Sequence, residues 1–422
     1  MHCADDGTCV ADTPNCVGLE CFQVDCASKG LPDTTITGTV YAPNGTLPLY
    51  NVTVYVPNAP VLALPTGLTC DRCENVLSGS PLVKTTTDTA GKFTLTNVPA
   101  TANVPLVIQV GRWRRQITIP NVASCEGTAL GANETRLPRN KSEGDIPRMA
   151  LSTGGADALE CLIRKIGLDD SEITTPASDG RLHLYAGTGG TNKFDSALGS
   201  SSFPNATTLW ADFNSLSKYD IVFLSCEGGQ NPSTKTAASR QALKDFTDMG
   251  GRVFASHWHN IWIDSGPTPW PSTVTRVNLA DLNSITADID QTTPKGQDLA
   301  QWLLNVGAST TLGKIAITAA QHTIKAVTAM MADRWIYLDN TANGQPSVQY
   351  LSFTTPVEAM PEDRCGRVVF SDIHVASGDK STTSLAYPSG GCTTNVATLT
   401  PQEKVLAFMI FDIGSCIDGP IL

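Results

Sequence analysis

In the stretch Tyr219-Asp-Ile-Val-Phe-Leu-Ser-Cys-Glu-Gly228 an apolar run ends in polar residues, and Arg252-Val-Phe-Ala-Ser-His-Trp-His-Asn260 repeats that arrangement further on. Between them Ala242, Leu243, Phe246 and Met249 recur at helical spacing, and Gly250-Gly251 stops the helix. Continuous apolar strands joined by an amphipathic helix predict a parallel sheet with helices on both faces. Working outward, Leu182 to Tyr185 and Arg367 to Phe370 read as further strands. Ala158, Leu159, Leu162, Ile163 and Ile166 form one helix face and Leu299, Trp302, Leu303 and Val306 another, each followed by a glycine. The last helix opens with Thr400-Pro401-Gln-Glu403, an N-cap, a first-turn proline and a capping-box glutamate. Strands near Ile315, Trp335 to Leu338 and Val348 to Phe353 add a β-rich insertion, so residues 151–422 read as an α/β domain with a mainly parallel sheet. A segment at about 264–297, with Pro267, Pro269, Pro271, Asp281, Asp288 and Asp290, is expected to lid one sheet edge, its acids too irregular for a calcium loop.

Upstream the pattern is all-β. Thr35 to Tyr41, Asn51 to Val56, Lys92 to Leu95, Leu106 to Val110 and Arg115 to Ile119 alternate and are rich in β-branched residues, predicting an antiparallel sandwich over 31–128. Trp113, beside Arg112, Arg114 and Arg115, reads as a packed residue at a strand end. Residues 129–150 are polar and charged, a linker. Residues 1–30 carry Cys3, Cys9, Cys16, Cys21 and Cys26 without helix or strand pattern, a disulfide-stapled leader.

Thirteen cysteines in 422 residues point to an oxidising place, extracellular, cell-surface or periplasmic. Disulfides are preferred over a zinc knuckle at Cys70 and Cys73, because no second pair follows at finger spacing. Cys365 and Cys392 flank the Asp372–His374 loop and are expected to tie it; Cys161 and Cys416 sit on or beside the first and last helices; Cys226 is the candidate odd cysteine. Met1-His2-Cys3 could follow a removed export signal, and a lipid anchor on Cys3 stays open. Only 16% of residues are charged, the net charge is −11 and no basic stripe exists, which argues against nucleic acid as a partner. No run of eighteen apolar residues exists, so no transmembrane segment is expected.

Ligands of an open parallel sheet gather at the carboxyl ends of its strands. Those ends are Ser225-Cys226-Glu227-Gly228-Gly229, Ser256-His257-Trp258-His259 and Ser371-Asp372-Ile373-His374. Residues i and i+2 of an extended segment share a face, so His257 with His259 and Asp372 with His374 form a candidate divalent-metal set, zinc foremost, with no nucleotide cofactor. Glu227 is the candidate general base, Ser256 and Cys226 are further catalytic candidates, and His257 or His374 could activate the Cys226 thiol. Trp258, Trp262 and Trp270, with Gly228, Gly229 and the Gly187–Gly190 loop, are candidate contacts to an extracellular polymer, glycan or peptide. The bland alternatives are hydrogen-bonded turn histidines, a buried strand cysteine and packed tryptophans. His2, His183 and His322 show no partner pattern.

Thr87-Asp88-Thr-Ala-Gly91-Lys-Phe93-Thr-Leu95 and the strand Thr37-Gly-Thr-Val40 resemble the carboxypeptidase regulatory-like family, which implies a transthyretin-type sandwich and an accessory module without chemistry. Tyr219 to Gly228, Asp248 to His257 and Gly366 to His374 resemble the class I glutamine amidotransferase-like superfamily, which implies a flavodoxin-like sheet. By that resemblance the nucleophile elbow falls at Ser256 or His257, its cysteine missing, and Ala376 stands where glutamate should pair with His374, so amidotransferase activity is not expected. The whole arrangement, with Leu137 to Met149, resembles exported proteins of predatory or soil bacteria such as myxobacteria. Two functions follow, a metal-dependent hydrolase or a non-catalytic binding or adhesion protein.

Overall fold

A computed structural model of the chain describes residues 2–3, 9–10, 16–72, 77–340, 344–375, 385–389, 392 and 399–417. Its centre is a ten-stranded sheet in the order Ile173–Thr174, Leu182–Tyr185, Met149–Ser152, Ile221–Leu224, Arg252–Ser256, Gly366–Ser371, Ser347–Thr355, Asp333–Leu338, Leu282–Ile289 and Lys314–Ala320. The first six strands run parallel. From Gly366–Ser371 outward every pairing is antiparallel. The fold is mixed α/β, and the mainly parallel sheet expected from the sequence holds for one half alone. The other half comes from the excursion between Arg252–Ser256 and Gly366–Ser371, which adds four strands before returning to pair in parallel.

Burial explains which half carries the apolar runs. Ile221–Leu224, Arg252–Ser256 and Gly366–Ser371 are buried at every residue. Helix Ala237–Asp248 covers them with Leu243 and Phe246, and the Thr236 hydroxyl caps it by accepting from Ser239 N. The terminal helix Pro401–Ile413 shows the full Thr400/Glu403 capping box. Glu403 also forms a buried ion pair with Lys165 of the first helix, Leu159–Lys165, at 2.6 Å.

Two boundaries differ from the sequence reading. Met149 and Ala150, inside the expected linker 129–150, open a parallel strand paired on both sides. Four residues between Pro147 and Gly154 are too short a run for periodicity to reveal. The expected lid at 264–297 does not form one: Leu282–Ile289 is an interior strand and Pro294–Asn305 a helix.

Upstream lie a three-stranded sheet, Lys92–Leu95, Thr35–Thr39 and Gly127–Ala129, and a four-stranded one, Pro81–Thr86, Thr53–Pro57, Ala102–Val110 and Trp113–Asn121. The Asp88 turn forms as expected, its carboxylate accepting from the Ala90 and Lys92 amides. Gly91 there has φ +73°, and a β-carbon would meet Pro48 at 2.8 Å. Trp113 is buried against Phe411 of the last helix, ring centres 5.9 Å apart, so the β-rich part and the large sheet share one apolar core.

Among the described residues, disulfides join Cys16–Cys21, Cys26–Cys125, Cys70–Cys365 and Cys161–Cys392. Cys365 and Cys392 therefore bond to other elements, not to each other: Cys70 of the β-rich part reaches Cys365, and Cys161 of the first helix reaches Cys392. Cys416 is also disulfide-bonded. Cys73, Ala376 and the side chains of Cys3 and Cys9 lie outside the described residues. Among those described, Cys226 is the free cysteine. No described helix is long and apolar enough to cross a membrane.

Candidate functional site

Three adjacent parallel strands deliver the site. Cys226 follows Ile221–Leu224, His257 follows Arg252–Ser256 and His374 follows Gly366–Ser371. The Cys226 Sγ lies 3.5 Å from His257 Nδ1 and accepts from the Gly228 amide at 3.4 Å. His257 has φ +43° and opens the tight turn His257–Asn260. The rings of His257 and His374 are 5.2 Å apart. One ligand atom from each of Cys226, His257 and His374 lies within 4.8 Å of the others, and all three residues are buried. Neither ring nitrogen of His374 has a hydrogen-bond partner among the described residues.

Electrostatics describe what this cluster lacks. Burial pushes the Cys226 thiol up to about 12, against the pull of the Trp258 and Gly228 amides. Burial, then the neighbouring His374, His322 and His259, pushes His257 down to about 2. At neutral pH Cys226 is thus a thiol beside the neutral imidazole of His257, and it is a poor nucleophile despite that neighbour. Leaving buried polar atoms such as those of His374 unpaired costs about 1–3 kcal/mol each. A cation would take up one of the two His374 nitrogens and convert the thiol to a thiolate. One sulfur and two imidazole nitrogens suit a zinc-type ion with a further position open.

Two residues of the expected four-ligand metal set drop out. Trp262 Nε1 donates to His259 Nδ1 at 2.8 Å, so His259 carries its proton on Nε2 and donates to Ser225 O at 2.9 Å. Both nitrogens are engaged, and burial holds its pKa down at about 3. Asp372 accepts from Thr323 N at 2.8 Å and from Thr323 Oγ1 at 2.9 Å, so both carboxylate oxygens are occupied. Burial pushes Asp372 up to about 7. The i, i+2 rule fails because His257 leaves the extended conformation and because Asp372 and His374 lie beyond the last strand residue, Ser371.

The proposed base and hydroxyl are likewise engaged. Glu227 pairs with fully buried Lys235 at 2.5 Å and accepts from Asn231 Nδ2 and Thr188 N, each at 3.0 Å. Burial alone would raise this carboxyl, but His259 and Lys235 outweigh it and hold it below the ordinary value. Ser256 Oγ donates to Asp157 Oδ2 at 2.6 Å. Sequence reasoning missed Asp157, whose other oxygen accepts from Ala158 N at 2.8 Å and Val375 N at 2.9 Å. It bridges the residue before His257 to the residue after His374. Its signal lay in the turn after Met149–Ser152, the strand the sequence hid; Gly154 in that turn is required, since a β-carbon would meet Cys226 O at 2.1 Å.

The tryptophans separate. Trp262 and Trp270 are wholly buried, against Trp210 and Phe353 at 5.4 Å each, and form core rather than a ligand surface. Trp258 is half-buried, its ring 4.7 Å from that of His257. Gly228 is exposed with φ +80° and Gly229 half-buried. The Gly187–Gly190 loop lines a cleft of about 220 Å³ with Asn192, Asn205, Thr207 and Glu227, which neither Gly228 nor Gly229 lines.

No protein-family profile matches the chain, and no curated protein does. Among solved structures, a putative ThuA-like protein from Bacteroides uniformis is similar at 10% identity and TM-score 0.33, over 63% of this chain and 90% of that one. A cytoplasmic protein from Salmonella typhimurium is similar at 9% identity and TM-score 0.31, over 63% of this chain and 98% of that one. A cohesin–X-dockerin complex from Acetivibrio cellulolyticus is similar at 13% identity and TM-score 0.17, over 35% of this chain and 78% of that one.

Proposed function

We propose that this is an exported protein whose large sheet carries a transition-metal centre, zinc foremost, held by Cys226, His257 and His374 and used for hydrolysis. The carrying observation is the convergence of these three buried side chains with both His374 ring nitrogens unpartnered among the described residues. A bound ion of this kind would supply Lewis acidity and a deprotonated water at neutral pH. Cys226 would hold such an ion as the thiolate, its proton passing to solvent, and His257 and His374 would each offer one neutral ring nitrogen. Asp157 holds Ser256 and Val375, and with them the chain beside each histidine. Glu227 shapes the neighbouring cleft as an ion-paired carboxylate.

Export rests on the four disulfides, which belong to an oxidising compartment. In this reading residues 1–30 are a stapled leader, 31–128 a regulatory-like accessory sandwich and 151–422 an amidotransferase-like domain in which His257 occupies the elbow with its positive φ. A second reading, an adhesion protein without catalysis that binds an uncharged glycan, draws on the polar cleft at Gly187–Gly190.

Metal analysis tests the first reading. Protein reconstituted with zinc and freed of excess should retain one equivalent, and Cys226→Ser, His257→Ala and His374→Ala should each lose it while His259→Ala keeps it. Less than a tenth of an equivalent in the wild type, or full retention by the three variants, would leave the binding-protein reading in its place.

A further inference from the structure

Gln402 lies outside the parallel strands, in the first turn of the terminal helix Pro401–Ile413, and is buried. Its amide is used at both ends: Nε2 donates to His374 O at 2.5 Å, and Oε1 accepts from Thr318 N at 3.0 Å. A carbonyl can only accept and a backbone N–H can only donate, so each contact independently fixes which end of the amide faces which partner. Thr318 belongs to the outermost strand of the large sheet, Lys314–Ala320. The helix is a firm base for this reach, because the Thr400/Glu403 box closes its first turn and Glu403 pairs with buried Lys165.

What Gln402 holds is the backbone on one side of His374. Neither ring nitrogen of His374 has a hydrogen-bond partner among the described residues, so no bond to the ring itself sets its direction. A side chain leaves the backbone along a bond whose direction follows from the planar peptides before and after it. The peptide before His374 is held at Ile373 O, which accepts from Ser371 Oγ at 2.9 Å. The peptide after it is held at both ends, His374 O by Gln402 and Val375 N by Asp157 Oδ1 at 2.9 Å. Ser371 and Asp157 belong to the parallel half of the sheet, whereas Gln402 reaches in from the terminal helix and is tied to the antiparallel edge. The ring these three side chains aim lies 5.2 Å from that of His257.

We propose that Gln402 is a positioning residue of the Cys226–His257–His374 centre: its bond to the His374 carbonyl fixes the direction in which the His374 ring meets the metal. The inference rests on the metal-centre reading.

Its test uses the full chain and cobalt(II), whose visible bands report the geometry of a site with a sulfur ligand, with zinc competition for the affinity. Gln402→Met keeps the length and loses both contacts. It should still take one cobalt, but bind it about tenfold more weakly and with altered bands, as loss of a group that orients a metal ligand does. Gln402→Glu keeps an acceptor for Thr318 N and, ionised at pH 8, has no proton for His374 O. It should show the same loss, and it answers the same question should Gln402→Met not fold. Lys404→Met removes a bond from the same helix to Val306 O, 2.6 Å long, and should lower stability while leaving cobalt affinity and bands as in wild type. Wild-type affinity and bands in either folded Gln402 variant overturn the proposal. So does an equal loss in Lys404→Met, which would assign the effect to the helix as a whole. A wild type that takes up no cobalt instead removes the metal-centre reading itself, and the role of Gln402 with it.

Discussion

The parallel half of the large sheet ends in Cys226, His257 and His374, which converge with a single contact between Cys226 and His257 and leave both His374 nitrogens without a partner among the described residues. The antiparallel half beside it ends in Thr323 and Gln349, which close onto Asp372, Gln321 and Ser347. Strand ends that all leave one edge of a parallel sheet bring together side chains from separate loops. Antiparallel neighbours return at once, so Thr323 and Gln349 find partners close by. Thr323 of the antiparallel half and Asp157 of the parallel half thus fix the chain beside His257 and His374.

The largest expected effect comes from loosening the parallel half. Lys235→Met leaves the Glu227 carboxylate buried beside Cys226 without its cation, and denaturant unfolding should show a loss of about 3–5 kcal/mol. Adding Glu227→Gln should restore most of it. A single variant as stable as wild type would mean that the pair contributes nothing to holding that strand end. Thr323→Val attacks the antiparallel half instead. It removes one of the two donors to Asp372, and the same measurement should show about 1–3 kcal/mol.

The smallest effect is a slope. In metal-free protein His257 and His259 sit at about 2 and about 3 against an ordinary 6.5, so the unfolded chain binds their protons first. Their stabilising effect is therefore present above pH 6.5 and lost as pH falls through that value. Asp372 has the opposite sign: raised to about 7 from 3.8, it keeps a proton in the native state that the unfolded chain releases. Its contribution is present below the unfolded value and disappears as pH rises to about 7. Between pH 6 and 4 these two histidines against Asp372 contribute a fall in stability of about 1 kcal/mol per unit, to which buried His183, pushed down to about 4, adds about as much again. Asp372→Asn removes the opposing group and should steepen the measured slope by about 1 kcal/mol per unit. An unchanged slope would show that Asp372 is not protonated in the native protein.

Much of the fold was legible locally. Ile221–Leu224 and Arg252–Ser256 are continuous apolar runs because both faces of those strands are covered, and the Thr400–Glu403 box announces a helix because its four residues bond one another. The free cysteine and the sheet edge at which Cys226, His257 and His374 meet were readable for the same reason, since they follow from counting and from where strands stop. Met149–Ser152 was hidden because a four-residue strand buried by its neighbours carries no period of its own. Of two histidines spaced alike, His257 faces the thiol and His259 is locked between Trp262 and Ser225. That choice depends on a positive φ and on a tryptophan's reach, neither written in the spacing. The same holds for Cys70 meeting Cys365 across 295 residues, for Asp157 bridging two strand ends, and for Thr323 reaching Asp372 from the antiparallel half. By itself the sequence determined the elements and the edge, because periodicity and capping act between near neighbours. Only the tertiary structure decided which side chains at that edge still have bonds to make, because that depends on partners brought in from distant parts of the chain.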